Sequence, residues 1–94
     1  MGPDVKTAFY KSFDRDLKDL KKNRQVLDRV QDAIDEVEEA DDLRELPSLK
    51  KLSGGGGDYY RIRVGDYRIG VALEGETVAF VRCLHRKDIY RYFP

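Results

Sequence analysis

The sequence predicts an α+β domain in which two helices pack on one face of a small twisted antiparallel sheet, in the order β-α-α-β-β-β. Helix-periodic segments fill the first half of the chain, strand-like segments fill the second, and Gly65-Asp66 forms a two-residue turn between two strands. This segregation is typical of α+β domains. At 94 residues we expect one domain over residues 1–94, of which residues 1–3 resemble an expression-tag remnant.

The first half predicts a strand and two helices. Residues 5–10 alternate as a short strand does, and Ser12 is a candidate N-cap for a helix that starts at Phe13. Asn23 is a candidate cap for a second helix. That helix has the strongest apolar periodicity in the chain, at positions 26, 27, 30, 33, 34 and 37.

The second half predicts three strands after a connector. Residues 41–52 are expected to be that connector, anchored by four leucines, and residues 54–57 are a flexible four-glycine loop without a phosphate-loop motif. The predicted strands are residues 58–64, 67–73 and 77–83. We expect Gly75 to lie in a three-residue loop formed by residues 73–75.

Composition excludes several classes of protein. Charged residues make up 38% of the chain, and no apolar run is long enough to span a membrane. We also expect no secretory signal. A single cysteine, Cys83, excludes an internal disulfide and fits a reducing cytoplasm, where Cys83 is expected to be a small buried apolar residue. One Cys and one His cannot supply a zinc cage, so no metal site is expected.

Zero net charge hides an uneven distribution. Residues 28–45 hold nine acids and two bases, whereas residues 61–68 hold three arginines and one acid. We therefore expect a basic face and an acidic back.

Strand alternation assigns the arginines to one face. The Gly65-Asp66 turn aligns Arg63 with Arg68 and Arg61 with Gly70, on the face away from the helices, with room above Gly70. Like charges directly opposite each other are destabilising. The cluster is either a solvated sheet face or an anion site, since Arg suits bidentate phosphate contact.

Other residues are candidates to complete such a site. The three-residue loop would put Ala79, Val81 and Cys83 on the core face and Arg82 with the arginines; a two-residue loop would reverse this. Tyr59 shares the arginines' face and could stack on a base or pack against the connector. The tail after the predicted last strand adds a titratable side chain, an arginine and an aromatic: His85, Arg86 and Tyr90.

The stretch YYRIRVGDYRIGVALEGETVAFVRCLHRKDIYRYF resembles the RelE/ParE superfamily of toxins from prokaryotic toxin–antitoxin systems. The opening FYKSFDRDLKDL fits the same superfamily, so the resemblance spans nearly the whole chain. It implies the fold predicted above. It also implies a cognate antitoxin protein as partner and no cofactor.

The resemblance implies one of two activities. RelE-like members cleave mRNA on the ribosome by attack of a 2′-hydroxyl on the adjacent phosphate, whereas ParE-like members inhibit DNA gyrase and lack the nuclease residues. A member that only binds antitoxin or RNA is a third reading. The nuclease positions are matched here by six residues: Arg61, Arg63, Arg68, His85, Arg86 and Tyr90.

One departure concerns the general base. Arg63 stands where many relatives have a lysine proposed for that role, and an arginine stays protonated. The resemblance leaves His85 and Tyr90 as candidates, with His85 favoured by the ordinary pKa of an imidazole. We expect Tyr59 and Arg82 to contact RNA.

Overall fold

Five strands form a single sheet in the structure, a computed structural model that describes residues 6–53 and 56–94. The strands are β1 (Lys6–Phe9), β2 (Leu49–Leu52), β3 (Asp58–Val64), β4 (Tyr67–Glu74) and β5 (Thr77–His85). Their order across the sheet is β1-β5-β4-β3-β2. All neighbours are antiparallel except β1, which lies parallel to β5. The predicted α+β class is confirmed.

Three α-helices and one short 3₁₀ turn complete the described residues. They are α1 (Lys11–Asp19), α2 (Arg24–Glu39), the 3₁₀ turn (Leu43–Glu45) and α3 (Ile89–Tyr92). Asn23 caps α2 as predicted, because its side chain accepts a hydrogen bond from the backbone N–H of Val26 at 3.3 Å. No helix in the described part of the chain is long and apolar enough to cross a membrane.

The main core lies between the helices and one face of the sheet. The predicted stripe of α2 is buried there together with Phe13 of α1, and α2 contributes Val30, Ala33, Ile34 and Val37. The sheet contributes Ile62, Ile69, Val71 and Phe80, among others. The acidic side chains of α2 are exposed on the far side of the molecule from the opposite sheet face.

Two predicted boundaries are wrong. Residues 49–52, expected to be part of a connector, form β2 against β3, with Leu49 opposite Ile62. Helix α1 begins at Lys11, after Tyr10, and Ser12 is not its cap: the Ser12 hydroxyl donates to the carbonyl of Val81 at 2.6 Å. Residues 1–5, 54 and 55 lie outside the described residues. The predicted tag remnant, the first strand residue and half of the glycine loop therefore fall there.

The hairpin between β4 and β5 differs from the prediction, although its outcome for Arg82 does not. Glu74 pairs with Thr77, so the loop has two residues and not three. This puts Phe80 on the core face and leaves Ala79 on the other. A bulge at Val81 then shifts the pairing by one residue, which returns Cys83 to the core and Arg82 to the opposite face.

The C-terminal tail covers the second face of the sheet. Ile89 and Phe93 are buried, but neither belongs to the main core cluster. The Phe93 ring lies directly over Gly70, where an added Cβ would come within 2.6 Å of it. The predicted open space above Gly70 is therefore filled by Phe93.

Candidate functional site

We call the sheet face that carries Arg61, Arg63 and Arg68 the arginine face. The predicted register is confirmed: Arg63 lies opposite Arg68, and Arg61 opposite Gly70. Their neighbours in β3, Ile62 and others, point into the main core. Strand alternation thus sends every arginine of this hairpin to the face away from α1 and α2.

Arg68 is the centre of the positive charge on this face. Its partial burial and the charges of Arg61 and Arg63 lower the pKa of its guanidinium; Tyr90 opposes this effect and Arg86 adds to it. Such effects fall off with distance, so these four side chains lie near Arg68. Five of the predicted site residues therefore converge.

Carbonyl groups hold two of these arginines. Arg68 Nη1 donates to the carbonyls of Gly65 at 2.7 Å and Tyr67 at 2.8 Å. Arg61 Nη1 donates to the carbonyl of Ser48 at 3.2 Å, while its buried Nε has no hydrogen-bond partner among the described residues. An unpaired buried donor beside other cations favours an anionic ligand.

Arg86 and Tyr90 reach the arginine face from the tail. The backbone N–H of Arg86 donates to the carbonyl of Asp66 at 2.7 Å, and its Nε lies 3.7 Å from the Asp66 carboxylate. This ion pair is exposed and weak, so the guanidinium stays available. Tyr90 is 58% exposed and its hydroxyl is accessible to a ligand.

His85 lies on the other face. It is the last residue of β5 rather than the first after it, and it pairs with Tyr67, which pairs with the buried Val64. The His85 and Tyr67 rings meet edge to face at 5.5 Å, and His85 Nδ1 accepts a hydrogen bond from the backbone N–H of Lys87 at 3.2 Å. The structure does not bring His85 together with Arg68.

The two predicted RNA contacts already have partners in the protein. Arg82 forms a bidentate ion pair with Asp16, with distances of 2.8 and 3.1 Å, and this hydrogen-bonded pairing raises the pKa of Arg82. The Tyr59 ring meets Phe93 edge to face at 5.6 Å. Tyr59 is half-buried, so part of the ring is open to solvent.

Sequence reasoning missed Asp16, the one buried charged residue among those described, at 6% exposure. A signal was present: Asp16 interrupts the stripe of Phe13, Leu17 and Leu20, at a helical position that should be apolar. Its carboxylate also accepts a hydrogen bond from the backbone N–H of Cys83 at 2.9 Å. An acid on an apolar stripe indicates a buried partner for that acid.

Cys83 is buried, as predicted. Burial, with a smaller contribution from Asp16, raises the pKa of its thiol to about 12. A neutral buried thiol is a poor nucleophile. Cys83 therefore takes no part in the site.

Comparison with known proteins identifies the family. The model of the ParE toxin of the type II toxin–antitoxin system parDE matches residues 8–90. The chain belongs to this toxin family. Toxin RelE3 of Methanocaldococcus jannaschii is 43% identical over 91 residues, which are 96% of this chain and all of that protein. The predicted superfamily and the predicted class, a type II toxin of RelE type, are confirmed.

Solved structures agree. A chain of the RelB–RelE antitoxin–toxin complex from Methanococcus jannaschii matches this toxin with a TM-score of 0.71 and 42% identity, over 93% of this chain and 99% of that one. The DinJ–YafQ toxin–antitoxin complex from E. coli gives a TM-score of 0.77 over 94% of this chain and 99% of that one. At 14% identity, this second likeness is one of fold alone.

Proposed function

We propose that this toxin is a ribosome-dependent mRNA endoribonuclease. The RNA 2′-hydroxyl attacks the adjacent phosphorus, and the bond from phosphorus to the 5′-oxygen of the next nucleotide breaks. The products are a 2′,3′-cyclic phosphate and a 5′-hydroxyl. The 2′-hydroxyl loses a proton to a base, and the leaving 5′-oxygen gains one from an acid.

The observation that carries this proposal is the convergence of positive charge on Arg68. Arg61, Arg63 and Arg86 all act on it, and the sheet holds these side chains in place before any ligand arrives. Cations fixed in advance around a phosphate stabilise the extra negative charge that develops in the transition state. Arg61, Arg63 and Arg68 take that role, and Arg86 contacts the phosphate or the leaving group.

The geometry favours Tyr90 over His85 for proton transfer. Tyr90 lies near Arg68 with an exposed hydroxyl, whereas His85 lies across the sheet and its Nδ1 already accepts a backbone hydrogen bond. Arginine cannot serve as base, because it stays protonated. We therefore assign proton transfer to Tyr90, a reversal of the preference drawn from the sequence.

Dependence on the ribosome follows from this weak set of proton-transfer groups. Holding the 2′-hydroxyl in line with the phosphorus supplies much of the rate in such a reaction. The described residues form no deep pocket for RNA on the arginine face, so we assign this positioning to the ribosome. The proposed partners are then the ribosome with its mRNA, and the proposed location is the cytoplasm.

A cognate antitoxin protein is a further proposed partner. The relative from Methanococcus jannaschii was solved as a RelB–RelE antitoxin–toxin complex at 42% identity to this chain. That likeness supports an antitoxin of the same kind here.

Inhibition of DNA gyrase by protein binding is the second candidate, because the matching family model is that of the ParE toxin. The retained cluster of Arg61, Arg63, Arg68 and Tyr90 favours the nuclease. A toxin-fold protein that only binds antitoxin or RNA is the third candidate.

Expression of the chain in cells separates the three. Transcript 5′ ends are mapped, and gyrase supercoiling is assayed with the purified protein. We expect new 5′ ends phased to codons and normal supercoiling. Loss of supercoiling without cuts would establish the gyrase reading, and neither effect would leave a binding protein.

A further inference from the structure

Helix α1 covers the part of β5 that β1 leaves unpaired. Pairing between β1 and β5 ends at Phe80. Beyond that point the Ser12 hydroxyl donates to the carbonyl of Val81, and Asp16 Oδ2 accepts from the backbone N–H of Cys83. Two side chains of α1 thus take the place of a neighbouring strand.

The negative charge of Asp16 is more than this edge requires. A neutral acceptor would satisfy the Cys83 N–H, and a buried ion pair adds little or nothing to net stability compared with uncharged groups. Both Asp16 oxygens also bind Arg82, at Nε and Nη2. A bidentate pair of this kind fixes the plane of the guanidinium.

Arg82 in turn lies against the tail. Its guanidinium carbon is 5.6 Å from the centre of the Tyr92 ring, within the range of a cation–π contact. The helix that carries Tyr92, α3, has only four residues. So short a helix does not hold its shape alone, and its position depends on such contacts.

Tyr92 and Tyr90 point to opposite sides of this turn. Residues two apart on an α-helix are separated by about 200° around its axis. Tyr92 meets Arg82 on one side, Tyr90 acts on Arg68 on the other, and Ile89 is fully buried. Fixing one ring and the buried base of the turn therefore fixes the other ring.

We infer that Asp16 is a positioning residue: through Arg82 and the ring of Tyr92, it holds the C-terminal turn that presents Tyr90 to the arginine face. The consequence for cleavage rests on the proposed function, whereas the consequence for the order of the tail does not. Arg82 then serves the protein's own structure in place of the RNA contact predicted from the sequence.

Hydrogen exchange of the tail amides tests the positional claim. The reporters are the backbone N–H groups of Arg91 and Phe93, which donate to Asp88 and Ile89. Asp16→Asn keeps an acceptor for the backbone but loses the charge, and Tyr92→Leu keeps an apolar side chain but loses the ring. We expect both to speed exchange of these amides at least 10-fold, while Tyr92→Phe, the matched control, leaves it unchanged.

Single-turnover cleavage on ribosomes tests the catalytic consequence. Asp16→Asn and Tyr92→Leu should lower the maximal rate at least 10-fold with half-saturation unchanged, and Tyr92→Phe should restore the rate. Because both variants act through the same contact, the double variant should be no slower than the slower single variant.

Three outcomes decide the inference. Unchanged tail exchange in Tyr92→Leu overturns it, and this exposed position stays informative if Asp16→Asn fails to fold. Weaker ribosome binding on Arg82→Ala with normal tail exchange also overturns it, because Arg82 would then contact RNA. If the unmodified toxin does not cleave, the proposed function fails, and the exchange measurement alone decides the position of the tail.

Discussion

Arg63 illustrates the conflict between stability and function in single side chains. Its charge faces that of Arg68 across the hairpin, and its side chain is exposed. Like charges opposite each other destabilise a sheet, so Arg63 is held in an unfavourable place by the fold. A phosphate bound between the two arginines would remove the repulsion.

Arg63→Ala should abolish cleavage and toxicity while changing the free energy of unfolding by no more than about 0.5 kcal/mol, or raising it. Urea unfolding and a growth assay measure the two effects. Arg68→Ala is the contrasting variant: it also loses two hydrogen bonds to carbonyls, so its stability should fall by about 1 kcal/mol. Unfolding of Arg63→Ala would make Arg63 a structural residue.

His85 and Tyr90 make opposite predictions for the chemistry. Tyr90→Phe should slow single-turnover cleavage by about 10²-fold or more, the usual contribution of a proton-transfer group. His85→Gln should cost less than about 10-fold, because it removes a group on the other face of the sheet. A nearly normal Tyr90→Phe with an inactive His85→Gln would return the base to His85, and the rate would then rise across the range where imidazoles titrate, about pH 6–7.

Docking of the tail is the decisive feature at the scale of elements, and Gly70 makes it possible. An added Cβ would lie 2.6 Å from the Phe93 ring, closer than side chains approach, so Gly70→Ala must displace Phe93 or shift β4. We expect a loss of about 1–3 kcal/mol in stability and at least 10-fold faster exchange of the tail amides. Gly56→Ala, where an added Cβ meets nothing within 4 Å, is the matched control and should change neither. A stable Gly70→Ala variant with a protected tail would contradict this account of docking.

Elements also show where sequence reasoning succeeds and fails. The hairpin at Gly65-Asp66 could be predicted in full, because turn chemistry and side-chain alternation agree there. Strand β2 could not: two lysines between two leucines do not alternate, and the strand exists because β3 offers a free edge. The bulge at Val81 and the length of β5 depend on neighbouring strands as well.

The candidate site was predicted in the same uneven way. Alternation alone was enough to group Arg61, Arg63 and Arg68. The face occupied by His85 was not predictable, since it depends on two more residues of β5 pairing with β4. Phe93 over Gly70 is a contact between segments distant in sequence, for which the sequence carries no local signal.

Charge is separated across the whole molecule. The acidic side chains of α2 lie on one side of the sheet and the arginine face on the other, so a net charge of zero still gives a strongly polar protein. If four arginines contact RNA phosphates, ribosome binding should weaken by roughly 50-fold between 50 and 200 mM salt, from a slope of about −0.7 per contact. Sedimentation with ribosomes measures this. A flat salt response would indicate an apolar protein–protein contact and favour the gyrase reading.

Attack by the RNA 2′-hydroxyl is the central claim, and one substituted nucleotide tests it directly. Purified toxin is mixed with ribosomes carrying an mRNA that has a single 2′-deoxy nucleotide at the cleavage position, next to the all-RNA control. We predict that the control is cut to a 2′,3′-cyclic phosphate and that the deoxy mRNA stays intact at that position. Cleavage of the deoxy mRNA at the same bond, or no cleavage of either mRNA, would contradict the account.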